Sequence, residues 1–323
     1  MNFAAFVSFF PQLVAGPIER ASRLLPQIEN KRIFKYEEGV AGLRLILWGM
    51  FKKVVVADTC AIYANDIFAN YTEYSGPTLM LGAVYFAFQI YGDFSGYSDI
   101  AIGTAKLFGI QLMTNFKTPY FSRDIAEFWR RWHISLSTWF RDYLYIPLGG
   151  SRVGKWKSVR NVFIIFLVSG FWHGANWTFI AWGGIHAALF LPLLLRGKNR
   201  RYTSDTIGEG RWLPTGREFL GMAWTFSMVC VAWVFFRAES VGEAVGYLGA
   251  AFFESEATGS LGLKTILENS FLISLLIAFE FFQQRIEQKV PSRRITWLAY
   301  ILVILLLILF AQNEAANFIY FQF

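Results

Sequence analysis

Ser169-Gly170-Phe171-Trp172-His173-Gly174-Ala175-Asn176-Trp177 lies inside a run from Val162 to Leu195 that contains no Asp, Glu, Lys or Arg. The only ionisable side chains in that run are His173 and His186. As a single helix at about 1.5 Å per residue the run would be roughly 50 Å long. The hydrocarbon core of a bilayer is only about 30 Å thick. The run therefore bends, tilts strongly or doubles back, and Gly170, Gly174 and Asn176 mark the place. His173 then sits on a break at membrane depth. An imidazole is costly there unless it faces a protein-lined or water-filled cavity, which makes it a functional candidate. The competing reading is a buried histidine that ties one helix to another through a hydrogen bond.

The rest of the chain supports the membrane reading. Of 323 residues, 55% are hydrophobic, 19% aromatic and 16% charged, whereas a soluble domain carries about 25% charged residues. Several apolar runs are long enough to span a bilayer, so the chain reads as an all-α polytopic membrane protein. The net charge is +7, but Lys and Arg cluster between the apolar runs. That fits the positive-inside bias and anionic lipid headgroups, and argues against nucleic acid as a partner. Cys230 lies in an apolar run, so no structural disulfide with Cys60 is expected. Met1 to Phe10 carry no Lys or Arg, which argues against a signal peptide.

In chain order, Val40 to Ala57 is apolar apart from Arg44, Lys52 and Lys53, and the two lysines are expected to snorkel or line a cavity. Leu79 to Ile110 is again too long for one upright span. Its Tyr91-Gly92-Asp93-Phe94-Ser95-Gly96-Tyr97-Ser98-Asp99 stretch reads as a break, with Ser95, Ser98 and Asp99 capping the helix that follows. Thr114 to Arg160 is the most basic segment. Within it Ile125 to Leu144 reads as one amphipathic helix, with Phe128, Trp132, Ser135 and Trp139 near one face and Arg131 off it. That helix carries His133, with Ser137 one turn later. Basic loops flank the central run on both sides, so it forms a hairpin. Glu218–Phe236, Ile266–Phe282 and Trp297–Phe310 are further spans, and Val241 to Phe253 an amphipathic surface helix. The basic loops around Arg20–Lys35, Lys117–Arg160, Arg196–Arg217 and Arg285–Arg294 should be cytoplasmic, and the loops Asp58–Gly76 and Arg237–Lys264 outside.

Five blocks of the chain resemble, in order, those of the membrane-bound O-acyltransferases of the bacterial alginate O-acetylase and D-alanyl-teichoic-acid type. They are Ser8-Phe9-Phe10-Pro11-Gln12-Leu13-Val14-Ala15-Gly16-Pro17-Ile18, Gln89 to Asp99, Phe128-Trp129-Arg130-Arg131-Trp132-His133-Ile134-Ser135-Leu136-Ser137, Gly170 to Trp177, and Phe318-Ile319-Tyr320-Phe321-Gln322-Phe323. The Trp-His-Gly-Ala-Asn-Trp wording is nearest to the alginate branch. The resemblance implies one membrane domain over residues 1–323, a multi-helix bundle with re-entrant or broken helices around a central polar funnel. It implies His173 as the catalytic histidine and His133 as the second functional position, which related lipid acyltransferases often fill with Asn. Trp172, Asn176, Trp177, Ser137 and Asp93 are then expected to bind substrate, and His186, which matches no block, to be a packing residue. The implied donor is an acyl thioester (acetyl-CoA or an acyl carrier protein), with no bound cofactor and no metal. The implied partners are membrane lipid, a periplasmic acyl-transfer protein and a polysaccharide acceptor, in the bacterial inner membrane.

Family members usually begin with a further helical block, so the sequence is expected to be N-terminally incomplete or shortened. The residues leave open whether His173 acts as a base or carries the acyl group covalently. The competing classes are a non-catalytic assembly subunit and a proton-coupled transporter. The second would be expected to show a repeat of broken helices, and none is visible in the sequence.

Overall fold

A computed structural model describes residues 2–203, 207–208, 211–253, 257–286, 293–310 and 318. Its elements run α1 (Asn2–Val7), α2 (Ala21–Glu29), α3 (Tyr36–Met50), α4 (Asp58–Ala69), α5 (Gly76–Leu107), α6 (Ile125–Arg131), α7 (Ile134–Phe140), α8 (Lys155–His173), α9 (Trp177–Leu195), α10 (Gly216–Arg237), α11 (Val241–Phe252), α12 (Leu263–Ile286) and α13 (Arg293–Phe310). No strand occurs among the described residues. Helices α9 and α10 and the Leu263–Gln284 stretch of α12 are each long and apolar enough to cross a membrane. The fold is that of an all-α polytopic membrane protein.

The charge-free run is an antiparallel pair, α8 and α9, broken at Gly174-Ala175-Asn176. Asn176 caps α9 by accepting from the Thr178 amide at 3.1 Å, and its own amide group donates to Glu239 O at 3.0 Å. The two helices meet backbone to backbone. A Cβ on Gly170 would lie 2.3 Å from Phe179 O, and one on Gly183 2.3 Å from Phe166 O. Without a solvent drive between helices, such close approach is how membrane helices gain packing energy. Gly183→Val should therefore force the pair apart and cost about 1–3 kcal/mol. Gly184→Ala, whose new carbon meets only Leu167 Cδ2 at 3.9 Å, should be neutral or slightly stabilising. Melting temperatures of the two variants in detergent test this, and equal values would contradict it.

The contacts group into two compact units. The first takes the described residues of Met1–Ile62, Phe88–Asn115 and Gly262–Gln322. Here α3 continues through a wide-turned π-type stretch, Phe51–Ala57, into α4. The expected break at Tyr91–Asp99 is absent, because α5 runs unbroken from Gly76 to Leu107. Its glycines serve close packing instead of a kink. A Cβ on Gly96 would lie 2.6 Å from Gly49 O, and one on Gly103 2.5 Å from Gly42 O. Ser98 likewise caps nothing, and accepts from Asn115 Nδ2 at 3.1 Å. The lysines neither snorkel nor stand free: Lys52 pairs with Asp99 at 2.7 Å, and Lys53 with Asp58 at 2.7 Å and Asp93 at 2.8 Å. Asp58–Gly76, read above as a loop, is largely helix α4 followed by a short turn at Tyr71–Glu73. Of the last sequence block only Phe318 is described, with its ring 5.1 Å from that of Tyr97. The loop after Ile286 lies outside the described residues.

The second unit takes Tyr63–Ala87 and the described residues of Phe116–Leu261. It contains the α8–α9 pair with α6, α10 and α11 packed against α9, α7 following α6, and with them His133, His173 and His186.

Candidate active site

The expected helix over Ile125–Leu144 is two short helices joined at His133. The reason lies in the charges. Asp124 caps α6, its side chain accepting from the Glu127 amide at 2.8 Å. Glu127 is buried between Arg123 at 2.8 Å and Arg131 at 2.7 Å. Arg131, expected off the apolar face, is buried too, at 2% exposure. Its other guanidinium nitrogen reaches Thr118 Oγ1 at 3.3 Å, and its carbonyl accepts from the Lys117 amide at 3.0 Å. These contacts hold the end of α6 against the Lys117-Thr118 segment and turn the chain there.

Trp132 is extended, and His133 takes the left-handed conformation with φ +43° and ψ +54°. A non-glycine residue in that region is strained by about 1–3 kcal/mol, and such strain gathers at functional sites. His133 O then accepts from the Ser137 amide at 3.0 Å as α7 starts. Arg141–Tyr145 continues α7 as a π-type turn.

His173 is the last residue of α8. Its ring lies 5.0 Å from Trp172, 5.3 Å from Trp182 and 5.1 Å from Phe236. The Trp172 ring is 6.4 Å from that of His133, so both imidazoles touch one tryptophan. His133 also faces the Phe116 ring at 6.4 Å. His133 is buried at 3% exposure and His173 is half-buried. Burial holds the His133 pKa well below the ordinary histidine value, and the nearby His173 adds to the effect. His133 is thus neutral near pH 7, with one nitrogen that donates and one that accepts.

A cavity of about 390 Å³ opens beside this pair. Ser137, one turn after His133, and Ser169, one turn before His173, both line it. Trp129, Phe166 and Phe190 give it apolar walls, and Arg141 and Arg200 are the charged groups on its lining.

The structure therefore brings together His133, Trp172 and His173, while Ser137 lines the neighbouring cavity, whose lining includes neither histidine. Asn176 serves as the α9 cap, and Trp177 begins α9 with 77% exposure. Asp93 belongs to the first unit, where its carboxylate pairs with Lys53. Sequence reasoning missed Glu127 and Thr118, and placed Arg131 off the buried face. The signal for Glu127 and Arg131 was present as an Arg123, Glu127, Arg131 ladder at four-residue spacing. Trp182 and Phe236 come from other helices, and nothing local in the sequence announces them.

A helical membrane protein with two imidazoles on one aromatic cluster, one of them on a strained backbone beside a cavity, has the parts for proton transfer during group transfer. Residues 1–232 match the family model described as MBOAT, the membrane-bound O-acyltransferase family. The chain belongs to that family. It is 36% identical to the peptidoglycan O-acetyltransferase of Helicobacter pylori, over 100% of this chain and 64% of that protein. It is 45% identical to a probable alginate O-acetylase of Pseudomonas syringae pv. tomato, over 91% of this chain and 56% of that protein. The teichoic acid D-alanyltransferase of Bacillus subtilis is 30% identical over 72% of this chain and 61% of its own length. The chain spans about half to two thirds of the length of the curated relatives it matches.

Proposed function

We propose that the whole protein is an O-acyltransferase of the bacterial inner membrane, moving an acetyl group from a thioester donor to a hydroxyl on an exported polysaccharide or on a periplasmic acyl-transfer partner. The observation that carries this reading is the His133–Trp172–His173 cluster beside the cavity lined by Ser137 and Ser169. Support for acetyl and for a polysaccharide comes from two of the relatives, a peptidoglycan O-acetyltransferase and a probable alginate O-acetylase.

In this reading His173 accepts the proton of the acceptor hydroxyl as its oxygen bonds to the thioester carbonyl carbon. The carbonyl electron pair moves to oxygen, then returns as the carbon–sulfur bond breaks. The departing thiolate takes the proton back from His173, so no net proton is released. His133, neutral and strained in place, orients the acceptor by hydrogen bonding. The thioester arm lies in the cavity, and Arg141 and Arg200 meet the negative charge of the donor's phosphates or of an acidic carrier. Trp172 and Trp177 offer ring faces to the acceptor.

Membranes containing the complete protein, incubated with radiolabelled acetyl-CoA, should transfer label to envelope polymer or to a partner protein. Ser169→Trp fills the cavity and should raise the KM for the donor at least about 10-fold, while leaving the protein in the membrane. Unchanged KM with a filled cavity would place the donor elsewhere.

A further inference from the structure

His186, Trp182 and Trp233 form one buried ring cluster from α9 and α10, and none of them has a role in the reading above. Their exposures are 0%, 1% and 1%. The ring centroids are 5.0 Å apart for Trp182 and His186, 5.8 Å for Trp182 and Trp233, and 6.5 Å for His186 and Trp233.

Trp129 Nε1 donates to His186 Nδ1 at 3.3 Å. Nδ1 can accept only without a proton, so the neutral His186 ring carries its proton on Nε2. His186 Nε2, Trp182 Nε1 and Trp233 Nε1 are then three N–H donors. All three are buried, and none has a hydrogen-bond partner among the described residues. Buried donors are nearly always paired, because an unmade bond leaves the full desolvation cost. An indole nitrogen donates and never accepts, so the three cannot satisfy one another. What the three donors lack is an acceptor atom.

Its place in the site narrows the choice. Trp182 touches the His173 ring at 5.3 Å. On the other side, Trp129 and Phe166 contact His186 at 4.9 Å and 6.2 Å and also line the cavity. The cluster is thus linked to His173 through Trp182 and to the cavity wall through the contacts of His186 with Trp129 and Phe166.

We propose that Trp182, Trp233 and His186 form the donor site for the carbonyl oxygen of the acyl group, the oxygen that becomes negative when the hydroxyl attacks. This rests on the reading of His173 as the base. As the new carbon–oxygen bond forms, the hydroxyl proton goes to His173 and the carbonyl electron pair goes to oxygen, where the N–H groups stabilise it. The pair returns when the carbon–sulfur bond breaks, and His173 gives its proton to the sulfur. None of the three donors loses a proton. Fixed neutral donors in dry surroundings are well suited to a charge that exists only in the transition state.

The test uses the complete protein in membranes with acetyl-CoA as donor, comparing Trp182→Phe, Trp233→Phe, His186→Phe and His186→Gln with wild type and His173→Ala. The phenylalanine variants keep a ring and remove the donor. Trp182→Phe and His186→Phe are expected to lower kcat about 10²–10³-fold with KM little changed. His186→Gln, whose amide can present an N–H near the position of Nε2, should retain more rate than His186→Phe. If His186→Phe fails to accumulate, the tryptophan variants carry the test. Near-normal kcat in both tryptophan variants beside an inactive His173→Ala would overturn the proposal and leave the cluster as packing around a water. Full activity of His173→Ala would instead remove the base reading, and this inference with it.

Discussion

His173→Ala is expected to lower acyl transfer by about 10²–10⁴-fold, the usual loss when a positioned general base is removed. The protein should still reach the membrane in normal amount. His173 ends α8, so its loss removes packing at a helix end and leaves the Gly170 and Gly183 seams intact. His133→Ala should also be severe, for two reasons. It removes the polar group beside Trp172, and alanine gains no compensation for the left-handed backbone. His133→Asn should keep part of the activity, since Asn donates a hydrogen bond and tolerates that backbone better than most residues. The measurement is ester-linked acetate in the cell envelope, alongside membrane abundance of each variant. Near-normal acetate with His173→Ala would rule out the proposed base.

The parts of this molecule that were legible in the sequence are those set by length and charge. A charge-free run longer than the bilayer had to fold back, and Gly174 and Asn176 mark where it does. The glycines of α5 carried the same local signal and meant something different. Gly92 and Gly96 read as a break, yet they and Gly103 are places where the α3 to α4 backbone comes close. A glycine in a helix can serve either purpose, and only its neighbour decides. The split at His133 was hidden for a related reason. The apolar periodicity runs through it, and what ends α6 is the hold of Arg131 on Thr118, a partner 13 residues earlier in the chain. The aromatic surround of His173 is likewise tertiary, since Trp182 and Phe236 come from α9 and α10.

Lys53→Ala should produce the largest loss of stability among single changes in the first unit. Lys53 Nζ is 2.7 Å from Asp58 and 2.8 Å from Asp93, whose side chains are 7% and 3% exposed. Removing one partner of a buried pair typically costs about 3–5 kcal/mol, because the remaining charge is left without compensation. Here two carboxylates lose their shared cation. Lys52 cannot replace it, since it is already paired with Asp99 at 2.7 Å. The melting temperature in detergent should fall by roughly 5 °C or more. Adding Asp93→Asn to Lys53→Ala should recover part of that loss, because one of the stranded charges is then gone, and the two changes should be clearly non-additive. Asp93→Asn alone should cost less than Lys53→Ala, since Lys53 retains Asp58. If Asp93 served the substrate instead of the fold, the pattern would reverse: Asp93→Asn would leave the melting temperature unchanged while lowering transfer, and Lys53→Ala would be tolerated.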